Sequence, residues 1–255
     1  MCDLNQARIL VTRPAHQSKN LCAMIAAKKG IPVSFPTLEI SPILLDIKDI
    51  ERSLNLADGL IFTSANAATL YCSQLDGAKI AQLQTKCCMA IGKATAHALT
   101  TMGVSVDLMP EQGYNSEALL ELLANQKKMP KHLIIVRGEN GRETLAESLT
   151  ARGMFVAYQN VYRRVIPTID CNEVVQLIMQ KQLNIITATS GDAIQNLVTM
   201  LPLAQRNMLK QLPLVVISER IKDIAKSLGF QWISIAKQPS DDAILKAVTT
   251  IIHGK

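Results

Sequence analysis

A strand-to-helix pattern is written into this chain twice, and that repetition constrains its fold more than any other feature. Short apolar runs ending in small or polar residues lie at residues 9–12, 60–63, 89–92, 133–138, 185–189 and 214–218. Each is followed by a segment with helical spacing of its apolar positions; after the first, Leu21, Met24 and Ile25 share one face. Strands that each lead into a helix predict parallel βαβ units, and so an α/β protein.

The units match in pairs. ILVTRPAHQSKNLCAMIAAKKGIPVSF from Ile9 resembles LIIVRGENGRETLAESLTARGMFVAY from Leu133. In both, an arginine (Arg13 or Arg137) ends the strand, an amphipathic helix follows, and Gly30 or Gly153 precedes the next apolar run. IFTSANAATL from Ile61 resembles TATSGDAIQNL from Thr187, which places Thr63 and Thr189 126 residues apart. MAIGKATAHALTTMGVSVDLMP from Met89 resembles VVISERIKDIAKSLGFQWISIA from Val215, and Gly103 and Gly229 are again 126 apart. Three pairs in one order imply two similar α/β domains, and a ligand held between such domains is the usual consequence.

Two proline-marked runs, FPTLEISP (residues 35–42) and NVYRRVIP (residues 160–167), read as extended passages between domains. Residues 1–36 then join residues 168–255 in a discontinuous domain. Residues 41–162 form the inserted one, with linkers near 36–41 and 162–168.

The 255 residues carry 27 Lys and Arg against 21 Asp and Glu, a net charge of +6 that favours an acidic partner. Aromatics make up only 4% and do not interleave with the basic residues, so a base-stacking nucleic-acid surface is not expected, whereas a polycarboxylate fits. Cys2, Cys22, Cys72, Cys87, Cys88 and Cys171 form no CxxC pair, and His16, His97, His132 and His253 have no ligand spacing. Reduced thiols and no metal are expected. Asp3, Asn5, Gln6 and Arg8 stand where a signal peptide needs an apolar core, and no run approaches the ~18 apolar residues of a membrane span. A soluble cytoplasmic protein follows.

Candidate site residues cluster where strands run into helices. Thr63 and Ser64, with Thr189 and Ser190, can cap helices or help bind an anion there. Capping alone explains one such pair; its recurrence in both halves favours a carboxylate-binding rim beyond the strand ends. Arg13 and Arg137 would add charged, bidentate donors, with surface ion pairing as the alternative. Gly92, with Thr95, lets backbone approach a ligand or a packed helix. Tyr162 could donate a proton, although a strand tyrosine more often serves packing. Cys87, Cys88 and His97 read as structural. RGENG is not GxGxxG and no GxxxxGK[ST] occurs, so a dinucleotide or P-loop site has little support.

These residues, in order, resemble a known family. VTRP, IFTSANA, AIGKATAHAL, GYNSEALLELL (residues 113–123), IIVRGENGRETLAESL, VYRR and TSGDAI together look like uroporphyrinogen-III synthase, over residues 9–248. The resemblance implies two small parallel-sheet, flavodoxin-like domains related by internal duplication, joined by a two-stranded linker, with one domain discontinuous. It also implies a cyclising hydro-lyase of haem biosynthesis that works without cofactor or metal. Its substrate is hydroxymethylbilane, a linear tetrapyrrole with eight carboxylates, delivered by hydroxymethylbilane synthase through transient contact. A monomer that meets neither nucleic acid nor membrane is expected.

In that chemistry a leaving hydroxyl takes a proton, the resulting azafulvene is attacked by the substituted α-carbon of ring D, and ring D is inverted. The resemblance places Tyr162 as proton donor. It places Arg13, Thr63, Ser64, Asn66, Gly92, Thr95, Arg137, Gly138, Thr189, Ser190 and Ser218 against the substrate. The second repeat departs from the family pattern, since ISERIKDIAKSLG (residues 217–229) lacks the Gly and Thr that Gly92 and Thr95 supply in the first and carries Ser218 and Arg220 instead; Asp192, nearby, is expected to face solvent or cap its helix. A two-domain protein that binds a small anion without turnover is the rival reading.

Overall fold

The computed structural model describes residues 3–113, 115–126 and 129–254. Cys2, expected as a reduced thiol, and Tyr114, within GYNSEALLELL, lie outside them. Strands and helices alternate along the chain. The first stretch runs β1 (Arg8–Val11), α1 (Ala15–Ala27), β2 (Ile31–Ser34), β3 (Glu39–Pro42), α2 (Ile47–Leu56), β4 (Gly59–Phe62), α3 (Ala65–Cys72) and α4 (Gly77–Leu83). There follow β5 (Cys87–Ala90), α5 (Lys93–Thr101), α6 (Ser116–Ala124), β6 (His132–Gly138), α7 (Thr144–Ala151) and β7 (Phe155–Val165). The last stretch is α8 (Asn172–Met179), β8 (Leu183–Thr187), α9 (Gly191–Met200), α10 (Leu203–Lys210), β9 (Leu214–Val216), α11 (Glu219–Ser227), β10 (Ile233–Ile235) and α12 (Asp241–His253).

The chain divides into two compact units, Met1–Glu39 with Val165–Lys255, and Ile40–Arg164. The first holds a five-stranded sheet of order β10-β9-β8-β1-β2, parallel throughout. Counted within the unit this is the doubly wound order 2-1-3-4-5. The second sheet has the order β3-β7-β6-β4-β5, with β7, β6, β4 and β5 parallel to their neighbours. Leu108 extends it by a parallel bridge to Met89.

Burial on both faces explains the unbroken apolar runs. Leu10, Ile186, Leu214 and Val216 face one core of the first unit, while Ile9, Val11, Ile185 and Val215 face the other. The second unit repeats this, with Phe62, Ala90, Ile134 and Val136 on one side and Ile61, Met89, Leu133 and Ile135 on the other. The helix face foreseen from Leu21 and Ile25 is buried in α1, with Met24 packed partly against the same core.

The strands stop at Val11, Phe62, Ala90, Thr187 and Val216, short of the predicted ends at Thr12, Thr63, Gly92, Thr189 and Ser218. The connection to the next helix claims those last residues. Ser64, Ser190 and Ser218 are extended N-caps whose hydroxyls accept from Ala67, Ala193 and Ile221 amides. Gly103 and Gly229, at φ +80° and +93°, end α5 and α11 alike, each followed by an amide that reaches back to Leu99 or Ala225. Gly30 is not the counterpart of Gly153 in backbone. Lys29 takes the left-handed turn there, and a Cβ on Gly30 would lie 2.8 Å from Leu4 and 2.9 Å from Ile25.

The run at residues 35–42 begins as part of the first unit. Thr37 is fully buried, its hydroxyl donates to the Ala193 carbonyl at 2.9 Å, and Asn196 Nδ2 donates to its carbonyl at 2.8 Å. The described cysteines, Cys22, Cys72, Cys87, Cys88 and Cys171, are free thiols. Burial pushes Cys88 up to about 12 and Cys72 to about 11, so both behave as core residues. Among the described residues, no helix is long and apolar enough to cross a membrane.

Among the described residues, one buried side-chain polar group is unsatisfied. Tyr71 is fully buried edge-on to Phe62, its hydroxyl has no partner among the described residues, and burial raises the phenol above the usual tyrosine range. Tyr71→Phe keeps the ring and removes an orphaned hydroxyl, so it should stabilise the protein by about 1 kcal/mol. A urea midpoint equal to or below that of the unsubstituted protein would contradict this.

Candidate active site

In the second unit the strands deliver their last residues to a cavity of about 340 Å³. Thr63 follows β4 and stays on the ladder: its amide donates to the Val136 carbonyl at 3.1 Å and its hydroxyl to the same oxygen at 3.2 Å. Ser64 starts α3. On the other side β6 and β7 pair in register up to Arg137 and Asn160, and the register then shifts so that Gly138 faces Tyr162. This irregularity brings the Tyr162 ring over Gly138. A Cβ at Gly138 would lie 2.5 Å from ring atoms Cε2 and Cζ. Tyr162 is buried, and its hydroxyl is 3.3 Å from Ser64 Oγ.

Thr63, Ser64, Arg137, Gly138 and Tyr162 therefore line one cavity, joined by Gly141 and by Asn115, Arg142 and Arg164, the last three of which the sequence did not single out. Arg164 was legible in principle: two residues beyond Tyr162 on a strand, it returns to the same face. Asn66, Gly92 and Thr95 stand outside this lining. Gly92 is the N-cap of α5 and Thr95 is buried one turn in.

Arg137 is committed within its own unit. Its Nη2 donates to Glu143 Oε1 at 2.7 Å, Nη1 to the Arg142 carbonyl at 3.1 Å and Nε to Asn160 Oδ1 at 3.4 Å. The guanidinium also lies 3.7 Å from the Tyr158 ring centroid, and the Tyr158 hydroxyl donates to Glu143. The Tyr158 hydrogen bond, and then Arg137, hold Glu143 below the usual 4.5. Burial, and then the Glu143 carboxylate, push the Tyr158 phenol up to about 12.

In the first unit Thr189, Ser190 and Ser218 occupy the corresponding strand-to-helix connections. Arg13 is paired there with Asp241, whose other oxygen accepts from Asn20 Nδ2 at 2.6 Å. Asp192 and Arg220 are exposed. Among the described residues, no three His, Cys, Asp or Glu side chains gather as a metal site.

Gly138→Ala should displace the Tyr162 ring and cost about 1–3 kcal/mol, read as a lower urea midpoint at unchanged m; a midpoint equal to wild type would mean the ring shifts freely. The Glu143 cluster sets a pH dependence. A raised phenol stabilises the fold below its ordinary 10.0 and loses that contribution as pH climbs towards 12. A depressed carboxyl stabilises above 4.5 and loses it as pH falls. Tyr158→Phe should accordingly flatten the alkaline fall in melting temperature and Glu143→Gln the acid one, and slopes matching wild type would refute the coupling.

Comparison with known proteins gives the family. The family model described as Uroporphyrinogen-III synthase HemD matches residues 19–246. The uroporphyrinogen-III synthase of Escherichia coli is 32% identical over 243 residues, covering 94% of this chain and 99% of that protein. The Salmonella typhimurium enzyme is also 32% identical, over 245 residues, with 94% and 99% covered. In fold, a mutant uroporphyrinogen III synthase from Thermus thermophilus matches with a TM-score of 0.65 at 14% identity, covering 98% of this chain and 100% of that one. Uroporphyrinogen-III synthetase from Helicobacter pylori matches at 0.64 and 18%, with 94% and 97% covered. Matched by the family model over most of its length and by relatives from end to end, the chain belongs to the uroporphyrinogen-III synthase family.

Proposed function

We propose that this chain converts hydroxymethylbilane to uroporphyrinogen III in tetrapyrrole biosynthesis, with Tyr162 as the proton donor. The near-complete alignment with the Escherichia coli enzyme supports the reaction. The observation that carries the site is the buried Tyr162 hydroxyl beside Ser64 at the end of β4.

The hydroxyl of the substrate leaves as water when it gains a proton and the pyrrole nitrogen pushes out the C–O bond. The azafulvene so formed is attacked by the substituted carbon of ring D, giving a spiro intermediate that opens and recloses with the ring inverted. Ser64 Oγ accepts from the Ala67 amide at 3.1 Å, which leaves its own proton to donate to the Tyr162 oxygen. The phenolic proton is then free to point into the cavity.

The linear substrate closes unaided to the type I isomer, so the protein has to favour one route over another rather than create reactivity. A 100-fold preference needs only about 2.7 kcal/mol of barrier difference. Backbone amides at the start of α3 supply neutral donors beside Tyr162, while Arg13 and Arg137, held by Asp241 and Glu143, position the strand ends. Thr189, Ser190 and Ser218 offer the same chemistry in the first unit. A substrate that closes unaided also favours direct, transient delivery by the hydroxymethylbilane synthase that makes it.

The same reading takes the two units as products of a duplication, with the chain crossing at Glu39/Ile40 and Arg164/Val165. It is supported by the shared order, β2-β1-β8-β9-β10 against β7-β6-β4-β5 with Leu108 as a fifth position. Each sheet then takes its opening βα unit from one repeat and the remainder from the other.

Purified protein mixed with freshly generated hydroxymethylbilane should yield type III porphyrin after oxidation, above a no-protein control. Tyr162→Phe should stay folded and lose roughly 10- to 100-fold in turnover. An unchanged rate and isomer ratio would remove Tyr162 from the mechanism; type I alone from the unsubstituted protein would leave only anion binding.

A further inference from the structure

We infer that Arg164 holds a substrate carboxylate beside Tyr162, a specificity-determining role that rests on the proposed function above. Two of the arginines expected at strand ends are already neutralised: Arg137 by Glu143 and Arg13 by Asp241. Arg163, on the opposite face of β7, reaches Glu139 at 3.6 Å. Arg164 lines the Tyr162 cavity, and among the described residues no carboxylate lies within 4.0 Å of its guanidinium. Its Cζ sits 6.0 Å from the Tyr162 ring centroid.

An exposed, unpaired arginine is unremarkable by itself; its placement carries the inference. Tyr162 and Arg164 alternate onto one face of the same strand, so the register shift that aims the phenol aims this cation with it. Arg142 also lines the cavity, but it rises from the turn after Gly141 rather than from the strand that carries Tyr162, and the guanidinium set over the Tyr162 ring is that of Arg164. A guanidinium offers two parallel N–H donors to a carboxylate, a geometry the neutral hydroxyls of Thr63 and Ser64 lack. Holding one acid side chain of the substrate there limits where the leaving hydroxyl can sit relative to the phenol.

The test compares Arg164→Gln, Arg164→Lys and Arg163→Gln for KM and kcat with hydroxymethylbilane, and for the Kd of uroporphyrin III measured by fluorescence. Arg164→Gln should raise both KM and Kd by roughly 10-fold or more, the loss expected for a charged hydrogen bond, with kcat changed by less than about threefold. Arg164→Lys should recover part of the affinity through charge without the fork, and Arg163→Gln should stay within about twofold of wild type. KM and Kd for folded Arg164→Gln within about twofold of wild type would overturn the inference, as would an equal effect from Arg163→Gln, which would reveal bulk charge. If unsubstituted protein forms no type III product, the proposed reaction fails, and the uroporphyrin Kd still decides Arg164.

Discussion

Burial of both faces of each parallel sheet is the constraint from which the rest of the structure follows. Strands such as β4 and β6 hide alternate residues in two different cores, so helices must lie on both sides and every connection must cross over. Each large apolar side chain taken fully out of water contributes about 2 kcal/mol, and this two-sided burial holds the strand ends in place. Parallel strands with crossover helices send all their carboxyl ends to one edge. There the backbone leaves the ladder and helix N-termini begin, so hydroxyl caps such as Ser64 and Ser190 gather without any functional demand. Function uses what this geometry already presents.

Within that edge the irregular pairing of β6 with β7 decides where Tyr162 stands. A regular ladder would set Val161 opposite Gly138; the shift sets Tyr162 there instead, with its ring stacked where a side chain would otherwise stand. The phenol is thus placed by backbone geometry and by the absence of a Cβ. Positive charge at the site is partitioned in the same local way. Arg137 is locked between a carboxylate, a carbonyl and an aromatic face, which makes it a structural strut, while among the described residues no acid pairs with Arg164. Sequence position pointed to Arg137 and passed over Arg164, because a strand-end arginine looks the same whether or not a glutamate six residues later folds back onto it.

The α/β class was legible because its signal is local. Apolar runs followed by helical spacing, and Gly103 and Gly229 at positions that need a left-handed backbone, report their structure residue by residue. Strand ends were read one or two residues long, since a threonine or serine after an apolar run serves strand and cap equally well. Tyr162 would have passed for a packing residue without the family resemblance. The Glu143 and Tyr158 partners of Arg137 carried no signal at all, because their meeting depends on how the Gly141 turn closes.

The alternation of strands and helices, the cap residues, the positive balance and the family are all encoded in short windows or ordered motifs of the chain. Tertiary structure alone decided the order of strands in each sheet, the shift that lays Tyr162 over Gly138, and which arginines keep their charge available. Separation in the chain explains the division: Ser64 and Tyr162 lie 98 residues apart and Arg13 and Asp241 228 apart. No local propensity connects such pairs, and only the packing of whole sheets brings them together.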